Sequence, residues 1–348
     1  MALLFCDSFD GYDVEGDLDS KWDMVPGNNE VSFNTNWGRW GGGSSNIEGN
    51  ADQGLTRYLP ASISTAIAGA SIKVFVTPNA QCELIGFKNT ANTDFQCCLV
   101  VNSGGAITAR LGAWNDYNDL GTSATGVIKV GVWQHIEVKA YIHDTAGTIE
   151  VRVDEVVVLN LTSQDTRHTA GDDYIGAIEF TSAISSSGET GWDDIVIMDT
   201  TGSYNNDFIG DCRIHSVLPD ANGSTNNFTP LSGSNWEMVD DKVDDDASYV
   251  YSTTSGHQDL YSFGTAGLTS DHTIAAVCVS NLTRKDDIGS RTVASVIRSS
   301  ATNGTGGNVS LDNLYQSVFA AFDLDPGTAS VWNGTSVDSI EAGIEITG

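Results

Sequence analysis

Proline is scarce in this 348-residue chain, with six residues, and cations are scarce against anions: 16 Lys and Arg stand against 46 Asp and Glu, a formal net charge of −30. Such a surface repels phosphates, which excludes nucleic acid as the expected partner, and it is equally unsuited to anionic lipid. No apolar run reaches membrane-spanning length, so no membrane insertion is expected. The opening MALLFCDSFD lacks the basic segment and long apolar core of a secretion signal, and the expectation is synthesis in a cytosol with reduced thiols. The six cysteines (Cys6, Cys82, Cys97, Cys98, Cys212 and Cys278) form no CxxC pair and no metal spacing. In QCELIGF and AAVCVSN they read as small core residues. The six histidines show no HxxxH or HxH spacing, and the chain has neither a Gly-x-Ser-x-Gly elbow nor a phosphate-binding glycine loop with its lysine. Gly304–Gly307 reads as a turn. No cofactor and no catalytic residue is expected.

What the chain has in quantity is punctuation. Thirty-seven glycines, with Ser, Thr, Asn and Asp between apolar runs, mark many short strands joined by turns. The clearest stretch is Trp133–Leu159. Ile136, Val138, Ala140 and Ile142 alternate with polar residues, a turn follows at His143–Gly147, and Ile149, Val151 and Val153 alternate again. Period-two alternation across a glycine-bearing turn is a β-hairpin with one buried face. Further strands are expected at Leu3–Phe5, Ala70–Val76, Glu83–Asn89, Phe95–Asn102, Ile107–Leu111, Ile175–Thr181 and Trp192–Asp199, with Thr148–Leu159 as one return strand. Gly41–Asn50 and Ser185–Gly191 read as loops. After a polar break at Thr200–Asp207, strands are expected at Asp211–Ser216, Tyr249–Ser252, Gln258–Phe263, Ile274–Asn281, Arg291–Arg298 and Gln316–Asp323, with a strand or short helix in Val331–Glu345. The fold class is therefore all-β, in two β-sandwich domains spanning residues 1–200 and 208–348.

Three clusters are candidates for function. Trp37, Trp40, Trp114 and Tyr117 lie among Gly, Asn and Asp, the make-up of a glycan platform, where rings stack on sugar C–H faces and amides take hydroxyls. The same residues suit a subunit interface or the core. Asp240–Ser248 holds five aspartates in seven residues. Asp244, Asp245 and Asp246 are calcium candidates, although the run lacks the glycine and terminal glutamate of a twelve-residue calcium loop, and a solvated loop is the alternative. Arg284, Lys285 and Arg291 flank Asp286 and Asp287 around Gly289. They read as assembly contacts for an acidic neighbour or as a solvated turn.

The first half resembles the concanavalin A-like (laminin G-like) jelly roll. The resemblance rests on Phe5-Cys-Asp-Ser-Phe-Asp10 with Trp22, on Trp133-Gln-His135, on the hairpin return from Gly147, and on the closing Trp192-Asp-Asp-Ile-Val-Ile. That fold hosts lectins, hydrolases and inert modules. Its glucanases carry Glu-x-Asp-x-x-Glu on one strand, and a retaining glycosidase needs two carboxylates about 5 Å apart. The nearest run here, Glu150-Val-Arg-Val-Asp-Glu155, puts Glu150, Arg152 and Asp154 on one face and Glu155 on the other, an exposed charged strand face.

The second half resembles a module at the C-terminal end of tailed-bacteriophage virion proteins. The matching elements run from Phe208-Ile-Gly-Asp-Cys-Arg-Ile through Asn235-Trp236, Asp259-Leu-Tyr-Ser-Phe, Arg284–Arg291 and Phe322-Asp-Leu-Asp-Pro-Gly to Ile340-Glu-Ala-Gly-Ile-Glu. This resemblance implies a non-enzymatic virion component, placed in the tail or tail fibre with host-glycan contact, or else on the head as a decoration protein. Its partners would be other virion proteins and further copies of itself in a homo-oligomer. The reading of another class is a carbohydrate-binding lectin or a glycoside hydrolase.

Overall fold

A computed structural model describes residues 3–25, 31–48, 54–75, 81–113, 115–116, 118–182, 189–242 and 246–348. The chain divides into two compact units, Ala2–Ile214 and His215–Gly348, and is nearly all β.

Among the described residues of the first unit, fourteen strands follow in order. They are β1 (Leu3–Asp7), β2 (Val31–Asn34), β3 (Ser44–Glu48), β4 (Leu55–Ile63), β5 (Thr65–Val74), β6 (Gln81–Lys88), β7 (Phe95–Asn102), β8 (Ile107–Leu111), β9 (Asn118–Thr122), β10 (Gln134–Tyr141), β11 (Gly147–Val153), β12 (Val156–Gln164), β13 (Ile175–Phe180) and β14 (Glu189–Asp199). They form two antiparallel sheets. One runs β12-β11-β10-β5-β14-β3-β2, with β1 also on β14, and the other runs β4-β13-β6-β7-β8-β9. This is the expected jelly-roll sandwich.

The hairpin alternation becomes register. Ile136, Val138 and Ala140 face Val153, Val151 and Ile149 across β10 and β11, and all six side chains are buried between the sheets. Each such Val or Ile contributes roughly 1.5–3 kcal/mol by leaving water. The return stretch is two strands rather than one. Asp154 (φ 49°) and Glu155 (φ 65°) make a tight turn into β12. Asp154 tolerates that left-handed backbone because its carboxylate accepts the His135 N–H (2.9 Å) and Gln134 Nε2 (3.0 Å). Asp154 therefore leaves the strand face on which it was expected to stand with Glu150.

The opening motif is packing and polar closure. Trp22 stacks on Phe9 at 6.1 Å and meets Phe5 and Phe180 edge-on, while Phe180 meets Trp192. Asp7 accepts Tyr12 Oη (2.5 Å), Trp22 Nε1 (2.9 Å) and the Phe9 N–H (3.1 Å) at the edge of this cluster. The closing motif is a bulge. Trp192, Ile195 and Ile197 enter the core. The register of β14 on β5 slips between Asp193 and Val196, with Asp194 at φ 48°. Here β14 changes partner from β3 to β1, and the bulge turns both aspartates outward.

In the second unit, the strands are β15 (Pro219–Asn226), β16 (Thr229–Pro230), β17 (Val250–Tyr251), β18 (Gln258–Phe263), β19 (Val277–Thr283), β20 (Thr292–Ser299), β21 (Thr302–Thr305), β22 (Val309–Ser310), β23 (Gln316–Phe322) and β24 (Glu341–Ile346). A sheet β15-β18-β24-β20-β21, with β22 on β20, is joined by the ribbons β16-β17 and β19-β23. The layers are tied by polar contacts as well as by apolar ones. Asn281 Nδ2 donates to Ser295 Oγ and the Gly343 carbonyl, and Ser295 Oγ donates to the Val318 carbonyl. Both alternatives for Val331–Glu345 are present, a one-turn helix α1 at Gly334–Val337 and then β24. Asp211–Ser216, expected as the first strand here, is not a strand.

Candidate functional site

The outer face of the eight-stranded sheet carries two features side by side. Register places His135, Ser71 and Asp193 in one row across β10, β5 and β14. Glu137 follows on β10 and Asp194 on the bulge. All of these are buried: the chain at 207–214 lies across Glu137 and Asp194, and Arg39 reaches Ser71 and Asp193. The Ile209 and Gly210 N–H groups donate to Glu137 Oε1 (3.0 and 3.1 Å), and the Ile214 N–H donates to Asp194 Oδ1 (2.7 Å). Asp211 is held bidentately by Arg39 (2.5 and 2.6 Å), and Asp207 pairs with Lys139. Phe208 lies under Lys139 and Arg152. Residues 208–214, assigned on sequence to the second domain, thus belong to the first unit.

Electrostatics follow from this cover. Burial, then the neighbouring Asp194, pushes Asp193 up to about 8, against N–H donation from Arg39 and Asp194. Burial also raises Asp194 and Glu137. Burial lowers His135 to about 4, although Asp211 opposes it. Neither ring nitrogen of His135 has a hydrogen bond, and Nδ1 lies 3.9 Å from Asp211 Oδ1. Perturbed acids beside a histidine suit acid–base chemistry, but here each is roofed by the chain and several are bonded to backbone N–H groups. The cluster fastens the segment to the sheet.

The second feature is open. On the same face, beyond the Asp193 row, lie Lys73, Gly191 and Asn46, neighbours across β5, β14 and β3. Phe75 and Trp133, both half-buried, close over Gly191. A Cβ placed on Gly191 would sit 3.0 Å from the Phe75 ring, 3.1 Å from Asn46 Oδ1 and 3.2 Å from the Trp133 ring. Glycine is what allows two rings and an amide to converge there. Trp37, 51% exposed, tilts against Phe75 at 6.3 Å between centroids. Beneath the rings Asn46 is fully buried, yet neither its Oδ1 nor its Nδ2 has a hydrogen-bond partner. An unmet buried amide costs about 1–3 kcal/mol.

The expected site residues fall as follows. Trp37 and Trp40 lie in the β2–β3 loop. Trp40 is 50% exposed, its Nε1 donates to Asp194 Oδ2 (3.0 Å), and Arg39 and Arg213 stack on its ring. Trp114 and Tyr117 lie outside the described residues, as do Asp244 and Asp245. Asp246 accepts Arg284 (2.6 Å) and Tyr315 Oη (2.8 Å), so hydrogen-bond donors occupy this calcium candidate. The basic cluster is likewise engaged internally: Arg284 with Asp246, Lys285 with the Gly289 carbonyl, and Arg291 with Asp287. Glu150 pairs with Arg152 (2.8 Å). Sequence reasoning missed Asn46, Lys73, Phe75 and the covered acids. Adjacent Asp193 and Asp194 in an apolar strand were the available signal, because a regular strand would bury one of them.

No family model and no curated protein matches the chain. Solved structures do. An endo-β-1,4-glucuronan lyase from the fungus Trichoderma reesei is similar over 56% of this chain and 94% of its own, at 9% identity and a TM-score of 0.38. Alginate lyase Aly36B is similar over 56% and 96%, at 11% identity and a TM-score of 0.37. The carbohydrate-binding module CBM66 from Bacillus subtilis is similar over 45% and 87%, at 10% identity and a TM-score of 0.30. Likenesses of this degree carry no argument by themselves, and the β-sandwich class rests on the chain's own antiparallel sheets. The expectation of a tailed-phage structural component is corrected here. The solved structures named are glycan lyases and a carbohydrate-binding module.

Proposed function

We propose that the first unit binds carbohydrate, at the rim formed by Trp37, Phe75 and Trp133, and does not cleave it. The observation that carries this reading is the exposed Trp37 ring in series with Phe75 and Trp133 over the unpartnered amide of Asn46. Rings offer stacking surfaces to sugar C–H faces. A non-catalytic role is supported by the state of the acids on this face. Glu137 and Asp194 lie under residues 207–214, Asp193 accepts the Arg39 and Asp194 N–H groups, Glu150 is paired with Arg152, and Asp154 is held in a turn.

The test is titration of the purified chain against a glycan array, followed by calorimetry on hits. Trp37→Ala weakens binding on the order of tenfold or more, while the far-ultraviolet spectrum is unchanged. Absence of binding to every glycan would refute the reading. Release of reducing or unsaturated ends from a bound polysaccharide would refute its non-catalytic part.

A further inference from the structure

Cations are rare in this chain, and most of those in the first unit are ion-paired. Arg110 is held by Asp119 and Gln81, Lys88 by Glu179, and Arg57 by Asp23. Lys21, Arg39, Lys139, Arg152 and Arg167 are also ion-paired. Among the described residues of that unit only Lys73, Lys129 and Arg213 have no carboxylate partner. Their placement is not scattered. Lys73 stands on the open face beside Gly191, with Nζ 5.0 Å from the Phe75 ring centroid. Lys129 lies in the loop that leads to Trp133 and is docked on β5 by a hydrogen bond from the Gly131 N–H to the Val74 carbonyl (2.8 Å). Arg213 stacks on Trp40, in the loop that also carries Trp37.

With 46 acidic side chains in the chain, Lys73 is left without a carboxylate partner beside the aromatic shelf, while Lys129 lies on the segment that leads to Trp133 and Arg213 lies against Trp40. A cation held against a ring face is desolvated on one side and keeps its other donors for an incoming anion. We infer that the shelf takes an anionic sugar residue, bearing a carboxylate or a sulfate ester, with Lys73 as the partner of the charged group and Trp37 stacking on the ring. This rests on the carbohydrate-binding reading and adds the ligand's charge class. A lysine is a point charge with rotatable donors and does not by itself choose between a carboxylate and a sulfate.

The experiment is a set of calorimetric titrations of the full chain with three matched oligosaccharides: a uronic-acid oligomer, its carboxyl-reduced neutral counterpart, and a sulfated neutral oligomer. The wild type binds at least one anionic probe roughly tenfold more tightly than the neutral one. That preference shrinks as NaCl is raised from roughly 50 to roughly 500 mM, because screening sets in. Lys73→Gln, which shortens the side chain over Phe75 and removes its charge, abolishes the preference of anionic over neutral probes. Trp37→Ala weakens all probes together. Equal affinity for neutral and anionic probes, or a preference that survives in Lys73→Gln, overturns the charge assignment while the carbohydrate reading stands. No binding to any probe or to any array glycan overturns both. If Lys73→Gln proves unfolded by circular dichroism, the wild-type comparison and its salt dependence decide the question alone.

Discussion

Replacing Asp193 by Asn removes a buried group whose protonation is linked to folding. In the folded chain Asp193 holds its proton up to about pH 8, against 3.8 for an ordinary aspartate. The folded state therefore binds the extra proton between those values, and its contribution to stability is full below 3.8 and is lost as pH rises through 8. His135 acts oppositely. Its folded value of about 4 lies below the ordinary 6.5, so its contribution is present above 6.5 and lost as pH falls through 4. The two slopes offset each other between about 4 and 6.5. From 6.5 to 8 the Asp193 slope is no longer offset by His135. At roughly 1.4 kcal/mol per pH unit, stability falls on the order of 2 kcal/mol across that interval. The assay is urea unfolding between pH 6.5 and 8.5 followed by tryptophan fluorescence, to which the first unit contributes six of the eight tryptophans. Asp193→Asn keeps one acceptor for the Arg39 or Asp194 N–H and loses the other. It is thus less stable by about 1 kcal/mol at pH 6.5, but its stability is flatter with pH. Parallel pH profiles for wild type and variant would refute the assignment of the linked proton to Asp193.

Two further outcomes follow from packing. Gly191→Ala forces Phe75, Trp133 and Asn46 apart by a few tenths of an ångström; it costs about 1–2 kcal/mol in thermal unfolding and weakens glycan binding more than stability, read by calorimetry on the folded fraction. Asp7→Ala strands the Tyr12 hydroxyl, the Trp22 indole N–H and the Phe9 N–H at the core edge, and urea unfolding registers a loss of about 3–5 kcal/mol.

Much of the scaffold was legible because its strands obey simple periods. The β10–β11 hairpin, β7, β8, β13 and β18 each carry enough Val, Ile, Leu or Phe to announce themselves. The failures share a physical cause. β3 reads Ser-Ser-Asn-Ile-Glu within the stretch taken as a loop, and only Ile47 belongs to the core cluster. Strand formation there comes from pairing with β14 and β2 rather than from its own side chains. The Thr148–Leu159 run was apolar enough to hide the Asp154–Glu155 turn, whose left-handed backbone lacks the usual glycine. Residues 208–214 were assigned to the second domain on the resemblance of their Phe208-Ile-Gly-Asp-Cys-Arg-Ile motif. They are held instead by backbone N–H donation to acids that the sequence shows as ordinary surface charge.

The candidate site was half visible for the same reason. Trp37 and Trp40 stand out in any reading, since an indole set among glycines has little apolar surface in its own segment to bury against. Asn46 on β3, Lys73 and Phe75 at the end of β5, and Trp133 before β10 come from three separate segments. Only the β5–β14–β3 register brings them onto one face. Their chemistry depends on what each lacks in three dimensions: a side chain at Gly191, a hydrogen bond at Asn46, a carboxylate beside Lys73. Such absences have no trace in one dimension, because any Asn or Lys in an acidic chain would be expected to find a partner. The proposed function therefore attaches to the part of the sheet with the weakest strand signal. There polar and small residues, freed from filling the core, leave the rings and the cation facing outward.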